Sequence, residues 1–295
     1  MVDLVITGGS GQVATALAAL APIEGLGVRL LGRPGFDFDR AETLAAVFDP
    51  SPAMVVNAAA YTAVDRAEAE AEAAGRANTT GPALLAGLCR AHGCKFLHIS
   101  TDYVFDGTKP APYRESDAAN PTGVYGRTKY EGEVAVMAAN PDAIILRTAW
   151  VYAATGRNFL LTMLSAARRL PTLRVVADQV GCPTLAADLA AAILRIATAP
   201  DWRPGIYHAA GTGQTSWHGF ATAILRRAAS HGLPCPEILP IATADWPTPA
   251  KRPENSRLDC TLLESTFGLV LPSWTEGVIR TVDAVMTASS TRPRT

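Results

Sequence analysis

Short apolar runs alternate with stretches of helical periodicity through the first half of the chain. The apolar runs cover residues 4–7, 28–31, 53–56, 96–99 and 144–146. Strands that are apolar on both faces and are separated by helices are typical of a parallel sheet covered on both sides. The pattern therefore predicts an α/β fold built on a doubly wound parallel sheet.

Between these runs, apolar residues recur three and four positions apart, which is the spacing of one buried helix face. The first such helix follows residue 12, and later ones are expected at about 41–48, at 67–77 and from 81 onwards. Parallel neighbouring strands need crossover connections of this kind. The order of the elements thus agrees with the predicted sheet.

The alternation of apolar runs and helical stretches becomes less regular in the second half of the chain, where proline and glycine cluster. Residues 205–210 still read as a strand, so the chain is expected to return to the sheet. We predict a first domain over 1–150, to which the chain returns at about 185–225. A smaller, discontinuous α/β domain is expected over 151–184 and 226–295.

Composition narrows the kinds of partner that the chain can have. The 295 residues include 26 Lys and Arg against 27 Asp and Glu, so no general field attracts nucleic acid or an anionic membrane. No run approaches the roughly 18 apolar residues of a membrane span, and no basic segment precedes the first apolar run, so neither a span nor a secretory signal is expected. Five cysteines without a Cys-x-x-Cys pair argue against disulfides and zinc, and favour a cytoplasmic protein.

The first strand runs into a glycine-rich turn, residues 7–14 (TGGSGQVA), that opens a helix. Glycine lets the backbone approach a pyrophosphate closely, and the free N–H groups at the helix start favour its negative charge. The small Ala14 lets the helix pack on its strand. The turn predicts a Rossmann-like domain that binds a dinucleotide.

The end of the second strand bears on which dinucleotide is bound. NAD-binding proteins usually carry an acid there for the ribose 2′-hydroxyl, but this strand ends Leu31-Gly32-Arg33. A guanidinium can bind a 2′-phosphate through two hydrogen bonds, so NADPH is the expected cofactor and NADH the alternative. The other interpretation of Arg33 is a solvated loop residue. Downstream, Asp37 can offer a carboxylate to an adenine amino group, whereas Asp39 more simply caps the next helix.

Tyr125 and Lys129 stand four positions apart, so on a helix both side chains project from one face. An ammonium beside a phenol stabilises the phenolate and lowers its pKa, which brings proton transfer within reach at neutral pH. Thr101 ends a strand at the same expected sheet edge and can hydrogen-bond the same carbonyl. His98 lies in that apolar strand and is expected to be a core residue, since the five histidines lack metal-ligand spacing.

Several stretches together resemble a known family, the extended short-chain dehydrogenases/reductases. They lie at residues 8–13, 57–65, 100–107, 124–129, 147–152, 158–159, 178–184, 247–249 and 252–258. The Tyr-x-x-x-Lys pair identifies only the superfamily. The Thr-Asp-Tyr-Val-Phe, Arg-Thr-x-Trp-Val-Tyr and Asn-Ser-Arg-Leu stretches are similar to the branch that reduces 4-keto sugars carried on dTDP, and the similarity extends nearly end to end.

The resemblance implies a catalytic triad of Thr101, Tyr125 and Lys129, a nucleotide-sugar substrate, and an NADP(H)-binding domain followed by a substrate domain. From the motifs and the resemblance together, cofactor contacts are expected from Gly8, Ser10, Gly11, Gln12, Val13, Arg33, Asp37, Phe38, Ala59, Ala60, Tyr61, Thr62, Tyr125 and Lys129. Substrate contacts are expected from Thr101, Asp102, Tyr103, Trp150, Asn158, Arg252 and Asn255. For Trp150 the alternative is core packing, and for residues 251–257 it is a polar turn instead of a clamp on a diphosphate.

The chain departs from the family in two places. Many relatives have an acid where Gly32 stands, which bears on cofactor preference. Some relatives form homodimers through magnesium held by carboxylates near the first helix, but residues 14–18 (ATALA) contain no acid. A homodimer stays open as an interpretation, and no metal site is carried over.

Two other functions remain open on sequence alone. Sugar-nucleotide epimerases and 4,6-dehydratases share the Tyr-Lys pair, although dehydratases place Glu after the strand-end Asp, where this chain has Tyr103. The branch also resembles the NADP-binding regulatory subunit of methionine adenosyltransferase. That role is non-catalytic and would not require an intact triad.

Overall fold

The computed structural model describes residues 3–290, with the side chains of 3–288. The strands are β1 (Leu4–Thr7), β2 (Val28–Leu31), β3 (Met54–Asn57), β4 (Lys95–Thr101), β5 (Ile144–Thr148), β6 (Val151–Tyr152), β7 (Thr172–Val176), β8 (Val180–Gly181), β9 (Thr184–Leu185), β10 (Gly205–His208), β11 (Thr215–Ser216) and β12 (Glu237–Ile241). The helices are α1 (Gln12–Leu20), α2 (Val64–Ala67), α3 (Ala71–Gly75), α4 (Gly81–Ala91), α5 (Val124–Ala139), α6 (Phe159–Ala167), α7 (Ala186–Ala197), α8 (Trp217–Ala229), α9 (Thr261–Phe267) and α10 (Trp274–Ser290). Further 3-10 helices cover Ala41–Phe48, Asp102–Val104 and Thr243–Asp245, and a π-helical turn covers Arg76–Thr80.

Six of these strands form one parallel sheet in the order β10-β5-β4-β3-β1-β2. The strands β1, β3 and β5 are buried along their whole length because helices cover both faces. Leu4 and Ile6 of β1 pack with α1 and α7 on one face, while Val5 packs with α4 and α5 on the other. The α/β doubly wound fold expected from the apolar pattern is confirmed.

Two helical stretches differ from the pattern prediction. Residues 41–48 form a 3-10 helix. The helical stretch after β3 is interrupted by the π-helical turn, which directs the buried Asn78 inward. Its Oδ1 accepts from the Tyr61 N–H at 2.8 Å, and its Nδ2 donates to the Thr128 hydroxyl at 3.1 Å. The irregular turn therefore ties the segment after β3 to α5.

A second core is built from α6, α8 and α10, and it includes the side chains Leu160, Phe220 and Val282. Strand β7 contributes Leu173 and Val175 to this core and pairs in parallel with β12. This unit carries the residues that face the main sheet across the site described below.

The two units exchange segments more often than the sequence pattern indicates. The chain returns to the main sheet through α7 and β10, which pairs with β5. Helix α8 begins inside the expected return at 185–225 and ends beyond it, but it packs in the second core because its buried face, which includes Phe220, meets α6 and α10. Conversely, Leu263 of α9 packs in the first core although it falls within 226–295.

No helix among residues 3–290 has the length and hydropathy needed to cross a membrane. The five cysteines are free thiols. In the described part of the chain, no three or more His, Cys, Asp and Glu side chains come together as a metal site.

Candidate active site

A cavity of about 490 Å³ opens where the carboxyl ends of β1, β3, β4 and β5 face the second core. This is the edge at which open α/β sheets bind their ligands. The cavity is lined by Ser10, Gly11, Gln12, Val13, Ala14, Ala58, Ala60, Thr62, Val64, Ile99, Ser100, Thr101, Asp102, Tyr103, Tyr125, Lys129, Thr148, Trp150, Val151, Gly156, Arg157 and Trp217. It therefore joins the glycine-rich turn, the strand-end threonine and the Tyr-Lys pair in one space.

Backbone crowding explains the composition of the glycine-rich turn. Gly8 and Gly9 have positive φ angles of 112° and 49°, a region that side chains rarely adopt. A Cβ on Gly8 would stand 2.8 Å from the backbone that follows β3, and one on Gly32 would stand 2.6 Å from the Gly9 Cα. Gly11 is the N-cap of α1, so the first N–H groups of the helix lack partners within it. The turn thus presents an anion-binding helix start to the cavity.

Arg33 lies at the end of β2 among acidic side chains. Its Nε is 2.9 Å from Asp37 Oδ2, and its Nη2 is 3.6 Å from Asp39 Oδ2. Asp39 also accepts from Arg76 Nε at 2.6 Å, and the N-cap of the following 3-10 helix has no side-chain hydrogen bond. The interpretation of Asp39 as a helix cap is therefore wrong, because its carboxylate pairs with two arginines. The Arg33 side chain is 70% exposed, so it stays accessible to an anion.

Part of the expected cofactor set does not line the cavity, namely Gly8, Arg33, Asp37, Phe38, Ala59 and Tyr61. The Phe38 ring packs edge-on against Phe36 with centroids 5.0 Å apart, and the Tyr61 hydroxyl donates to Glu70 at 2.6 Å. The rest of the set lines the cavity: Ser10, Gly11, Gln12, Val13, Ala60, Thr62, Tyr125 and Lys129.

Tyr125 and Lys129 lie on one face of α5 and both reach the cavity. Burial raises the pKa of Tyr125 to about 12; a hydrogen bond with Thr101 opposes this rise and the charge of Asp102 adds to it. The expectation that Lys129 lowers the pKa of the phenol is wrong, because the amine is directed to other partners. Tyr125 is protonated at neutral pH, as an ordinary tyrosine is, so it has a proton to donate.

Lys129 is almost fully buried, with 2% of its surface exposed. Its Nζ donates to the Ile99 carbonyl at 2.6 Å and lies 3.2 Å from His98 Nε2. Burial lowers the pKa of Lys129 to about 8, and the Glu133 carboxylate opposes this shift. The amine can therefore change charge close to neutral pH.

Asp102 follows Thr101 at the end of β4 and is 2% exposed. Its Oδ1 accepts from the Thr101 hydroxyl at 3.0 Å, while Oδ2 has no hydrogen-bond partner. Burial raises the pKa of Asp102 to about 7, and hydrogen bonds from Thr101 and Ser256 limit the rise. The carboxyl group thus brings an unpartnered oxygen to the cavity wall and changes charge near neutral pH.

Trp150 follows β5 with a backbone φ of 46°, a left-handed conformation that is strained for a tryptophan. Its indole stacks on that of Trp217, with ring centroids 3.5 Å apart and planes 5° from parallel. Trp150 Nε1 donates to Ser256 Oγ, and Trp217 Nε1 donates to Gln179 Oε1, both at 3.1 Å. Both indoles line the cavity, so Trp150 contributes to its wall as well as to packing.

Three residues expected at the substrate make protein contacts outside the cavity lining. Asn158 caps α6 and donates to Gln12 Oε1 at 2.9 Å. Arg252 Nη2 pairs with both oxygens of Asp65 at 2.9 Å, and its Nη1 is buried without a partner. Asn255 donates from Nδ2 to two nearby backbone carbonyls. For Asn255 these bonds favour the polar-turn interpretation.

The cavity lining includes residues that were not among the expected contacts, among them Ser100, Thr148, Arg157 and Trp217. Ser100 and Thr148 lie at the carboxyl ends of β4 and β5, and that position is the signal by which they could have been found. Arg157 and Trp217 lie in segments without a recognisable motif. Their place in the site depends on how the second core packs against the sheet.

Unpartnered polar atoms show whether a dinucleotide fits this cavity. Ser100 Oγ, Asp102 Oδ2 and Thr148 Oγ1 are buried in the wall without hydrogen-bond partners. Such atoms cost free energy unless a ligand or water satisfies them. At the other end, the start of α1 offers N–H donors and Arg157 adds a positive charge. A ligand with a pyrophosphate at one end and a polar ring at the other, such as NADP(H), fits both.

Comparison with known proteins identifies the family. Residues 2–287 match the family described as RmlD substrate binding domain. The dTDP-4-dehydrorhamnose reductase of Sinorhizobium fredii is 45% identical over 290 residues, which cover 96% of this chain and 97% of that protein. That of Burkholderia thailandensis is 44% identical over 283 residues, covering 92% and 95%.

Solved structures agree with the sequence relatives. The crystal structure of a dTDP-4-dehydrorhamnose reductase from Clostridium acetobutylicum matches with a TM-score of 0.91 and 35% identity, covering 96% of this chain and 99% of that one. The enzyme from Bacillus anthracis, in complex with NADP, matches with a TM-score of 0.89 and 32% identity over the same shares. The chain therefore belongs to the dTDP-4-dehydrorhamnose reductase family.

Proposed function

We propose that the protein reduces the C4 keto group of dTDP-4-dehydro-L-rhamnose with NADPH, which yields dTDP-L-rhamnose. The observation that carries the proposal is a single cavity lined by the start of α1 and by Thr101, Tyr125 and Lys129. Relatives of that name match the chain nearly end to end, and one related structure holds NADP.

Tyr125 donates the proton that the C4 oxygen gains as the carbonyl becomes a hydroxyl. A pKa of about 12 keeps its phenol protonated at neutral pH, so the proton is available when charge develops on that oxygen. Thr101 and Lys129 stabilise the developing charge from the same cavity wall. Loss of one such donor costs about 10²-fold or more in rate.

NADPH, when bound, supplies the hydride for this reduction. The N–H groups at the start of α1 bind its pyrophosphate, and Arg157 adds a positive charge beside them. Arg33 meets the 2′-phosphate at the end of β2, where its exposed guanidinium is accessible. Tyr125 and Lys129 hold the nicotinamide ribose.

The sugar nucleotide binds between the triad and the second core. Asp102, Tyr103, Trp150 and Trp217 form the walls of the cavity on that side. Arg252 lies with its guanidinium 6.0 Å from the Tyr103 ring centre and keeps Nη1 without a partner, which supports its role at the diphosphate. Asn158 and Asn255 support the surrounding loops in this scheme.

The acid-base groups favour a reductase over a 4,6-dehydratase. Elimination of water needs an acid and a separate base, yet among the described residues Asp102 is the only acidic side chain in the cavity lining. Burial raises the pKa of Tyr103, so its phenol does not replace the missing base. An epimerase regenerates its nicotinamide each cycle, so consumption of NADPH in a 1:1 ratio with substrate would exclude it.

The test is to mix the protein with NADPH and dTDP-4-dehydro-L-rhamnose, follow the absorbance of NADPH and identify the sugar product. Tyr125→Phe removes the proton donor and leaves the cavity shape, so we expect most turnover to be lost while NADPH still binds. Turnover at the wild-type rate in this variant would contradict the assignment of Tyr125. A wild-type protein that lacks reductase activity but binds and activates a methionine adenosyltransferase would favour the regulatory alternative.

Two further proposals concern the assembly and its surroundings. We propose that the chain works as a homodimer without a nucleic-acid partner, since the resembling family includes dimers and the net charge is -1. Light scattering tests the homodimer, because a measured mass of 31.0 kDa would show a monomer instead. The five free thiols favour a reducing compartment such as the cytoplasm.

A further inference from the structure

A hydrogen-bonded chain of buried side chains crosses the sheet behind the catalytic lysine. The register sets Thr7 of β1 beside Asn57 of β3, and Asn57 beside His98 of β4. Thr7 Oγ1 donates to Asn57 Oδ1 at 2.6 Å, and Asn57 Nδ2 lies 2.9 Å from His98 Nδ1. His98 Nε2 in turn lies 3.2 Å from Lys129 Nζ. None of the first three residues lines the cavity, so ligand contact does not explain them.

Two donors fix the orientation of the Asn57 amide. The Thr7 hydroxyl and the Ala59 N–H, at 2.6 and 3.2 Å, both donate to Oδ1. A flipped amide would turn its NH₂ group toward the Ala59 N–H, which has no acceptor to offer. The Nδ2 group therefore faces His98 and donates to Nδ1.

The fixed amide determines which nitrogen of His98 carries the proton. Burial lowers the pKa of His98 well below its ordinary value, so the ring is neutral and holds one proton. Because Nδ1 accepts from Asn57, that proton lies on Nε2. The ring therefore presents an N–H, and not a lone pair, to Lys129.

An N–H at this position opposes a positive charge on Lys129. An ammonium has three N–H donors and no lone pair, so it cannot accept from His98 Nε2. The neutral amine can accept that bond while it still donates to the Ile99 carbonyl. Deprotonation thus converts an unfavourable donor-donor contact into a hydrogen bond.

Resting on the proposed function, in which Lys129 assists the reduction, we propose that His98 is a positioning residue whose Nε2–H, fixed by Asn57, favours the uncharged amine of Lys129. Lys129 can then release and regain a proton during turnover close to neutral pH. The pKa of Lys129 lowered to about 8 agrees with this geometry.

The other charged groups near Lys129 act in the opposite direction or are held elsewhere. Glu133, one turn further along α5, favours the ammonium, and it is itself paired with Arg147 of β5 at 2.6 Å. On the 3-10 helix packed against α5, Asp102 carries a charge only above about pH 7. The charged residues of the preceding helical turns make their own contacts: Arg66 with Glu70, Glu68 with the Val124 N–H, and Arg76 with Asp39. His98 is therefore the side-chain contact that favours the neutral amine.

Nitrogen-15 NMR of the histidine rings tests the proton position directly. The His98 resonances are identified as those missing from the spectrum of His98→Leu. We expect a proton-bearing Nε2, an unprotonated Nδ1 and no titration between about pH 5.5 and 9. A proton on Nδ1, or titration near pH 6.5, would overturn the inference whether or not the protein reduces a sugar.

The pH profile of kcat, measured at saturating NADPH and sugar nucleotide so that changes in KM do not contribute, tests the effect on Lys129. His98→Leu removes the opposing N–H. We therefore expect the fall in rate at alkaline pH, the alkaline limb of the profile, to occur roughly half to one pH unit higher, which corresponds to the free energy of one hydrogen bond. His208→Leu is the matched control, because His208 is also fully buried in the sheet, with a pKa lowered to about 3, but contacts the Tyr113 carbonyl. An unmoved limb in His98→Leu, or an equal shift in both variants, would show a merely structural role.

A second substitution covers the case in which His98→Leu does not fold. In Asn57→Asp a carboxylate oxygen faces Nδ1 and draws the proton there, so Nε2 becomes an acceptor for the ammonium. We expect NMR to show the proton on Nδ1 and the alkaline limb to rise. If the proton stays on Nε2 in this variant, Asn57 does not control the tautomer. If the wild type shows no reductase activity, the proposed function fails while the NMR result still decides the role of Asn57 and His98.

Discussion

At the scale of single residues, the protonation of Asp102 is a property that its sequence motif could not predict. The Thr-Asp-Tyr stretch marks the position, but the burial that raises its pKa to about 7, and the hydrogen bond with the distant Ser256 that limits the rise, arise only in the folded chain. Asp102 lines the cavity, and its carboxyl group can donate a hydrogen bond below that pH but can only accept one above it. The protonation of one carboxyl group should therefore control sugar binding.

We expect the KM for the sugar nucleotide to rise above pH 7 in the wild type. The raised pKa means that Asp102 is neutral below about pH 7 and ionises above it, where it loses its donor and repels an anionic substrate. The rise should be roughly tenfold at one pH unit above the pKa. In Asp102→Asn the amide donates at every pH, so a KM measured from about pH 6 to 8.5 should stay flat.

Thermal unfolding gives an independent check on Asp102. Because the pKa in the folded protein lies above that of an unfolded chain, ionisation costs folding free energy as the pH rises. Asp102→Asn should therefore unfold at a higher temperature than the wild type at pH 8. Equal melting temperatures there would mean that the carboxyl group is not buried as described.

The sequence places an arginine, Arg33, at the end of β2, but the side chains that surround it could not be predicted from the sequence. The carboxylates of Asp37 and Asp39 partly neutralise its positive charge. We expect Arg33→Ala to raise the KM for NADPH about tenfold, the lower range for a charge-assisted hydrogen bond, and to leave that for NADH unchanged. Arg40→Ala removes an exposed arginine that pairs with Glu42 and serves as the control. Unchanged cofactor preference in Arg33→Ala would remove the 2′-phosphate role.

At the scale of elements, the strands of the main sheet follow the apolar runs almost residue for residue. Buried strands with helices on both faces need continuous apolar sequence, so their pattern is easy to recognise. The small β7-β12 sheet leaves much of β12 exposed, and its sequence alternates without a clear signal. The π-helical turn at 76–80 was also not predictable, because it depends on Asn78 reaching two separate elements.

The contact between the ends of β1 and β2 explains the missing acid at position 32. A side chain on Gly32 would collide with the Gly9 backbone, so an acid at this position requires a different turn. We expect Gly32→Asp to weaken NADPH binding and lower the melting temperature without creating a preference for NADH. Gly32→Ala should do the same if crowding is the cause, as binding isotherms for both cofactors would show. Tighter NADH binding in a stable Gly32→Asp protein would contradict the argument.

At the scale of the whole molecule, the site is assembled from both cores. The sheet supplies the glycine-rich turn and Thr101, helix α5 supplies Tyr125 and Lys129, and the second core supplies Trp217. The place of Thr101, Tyr125 and Lys129 in the cavity could be predicted because these residues lie in local motifs. The second wall was not, since it depends on contacts between segments far apart in the chain.

We expect saturating NADPH to stabilise the folded protein. A ligand at about 100 times its Kd adds about 2.7 kcal/mol, which corresponds to a rise of roughly 5 °C in Tm for a chain of this size. Tyr125→Phe should keep this rise, and Gly32→Asp should lose most of it, in thermal unfolding followed by circular dichroism. No rise in the wild type would mean that NADPH does not bind the folded cavity.

The stacked pair of Trp150 and Trp217 has an optical consequence. Two indoles 3.5 Å apart and nearly parallel share their excited states, and this coupling produces a paired band in circular dichroism that single tryptophans lack. One indole follows the main sheet and the other begins a helix of the second core. Any ligand that shifts one unit against the other changes their overlap, so the protein carries its own unlabelled reporter of domain movement.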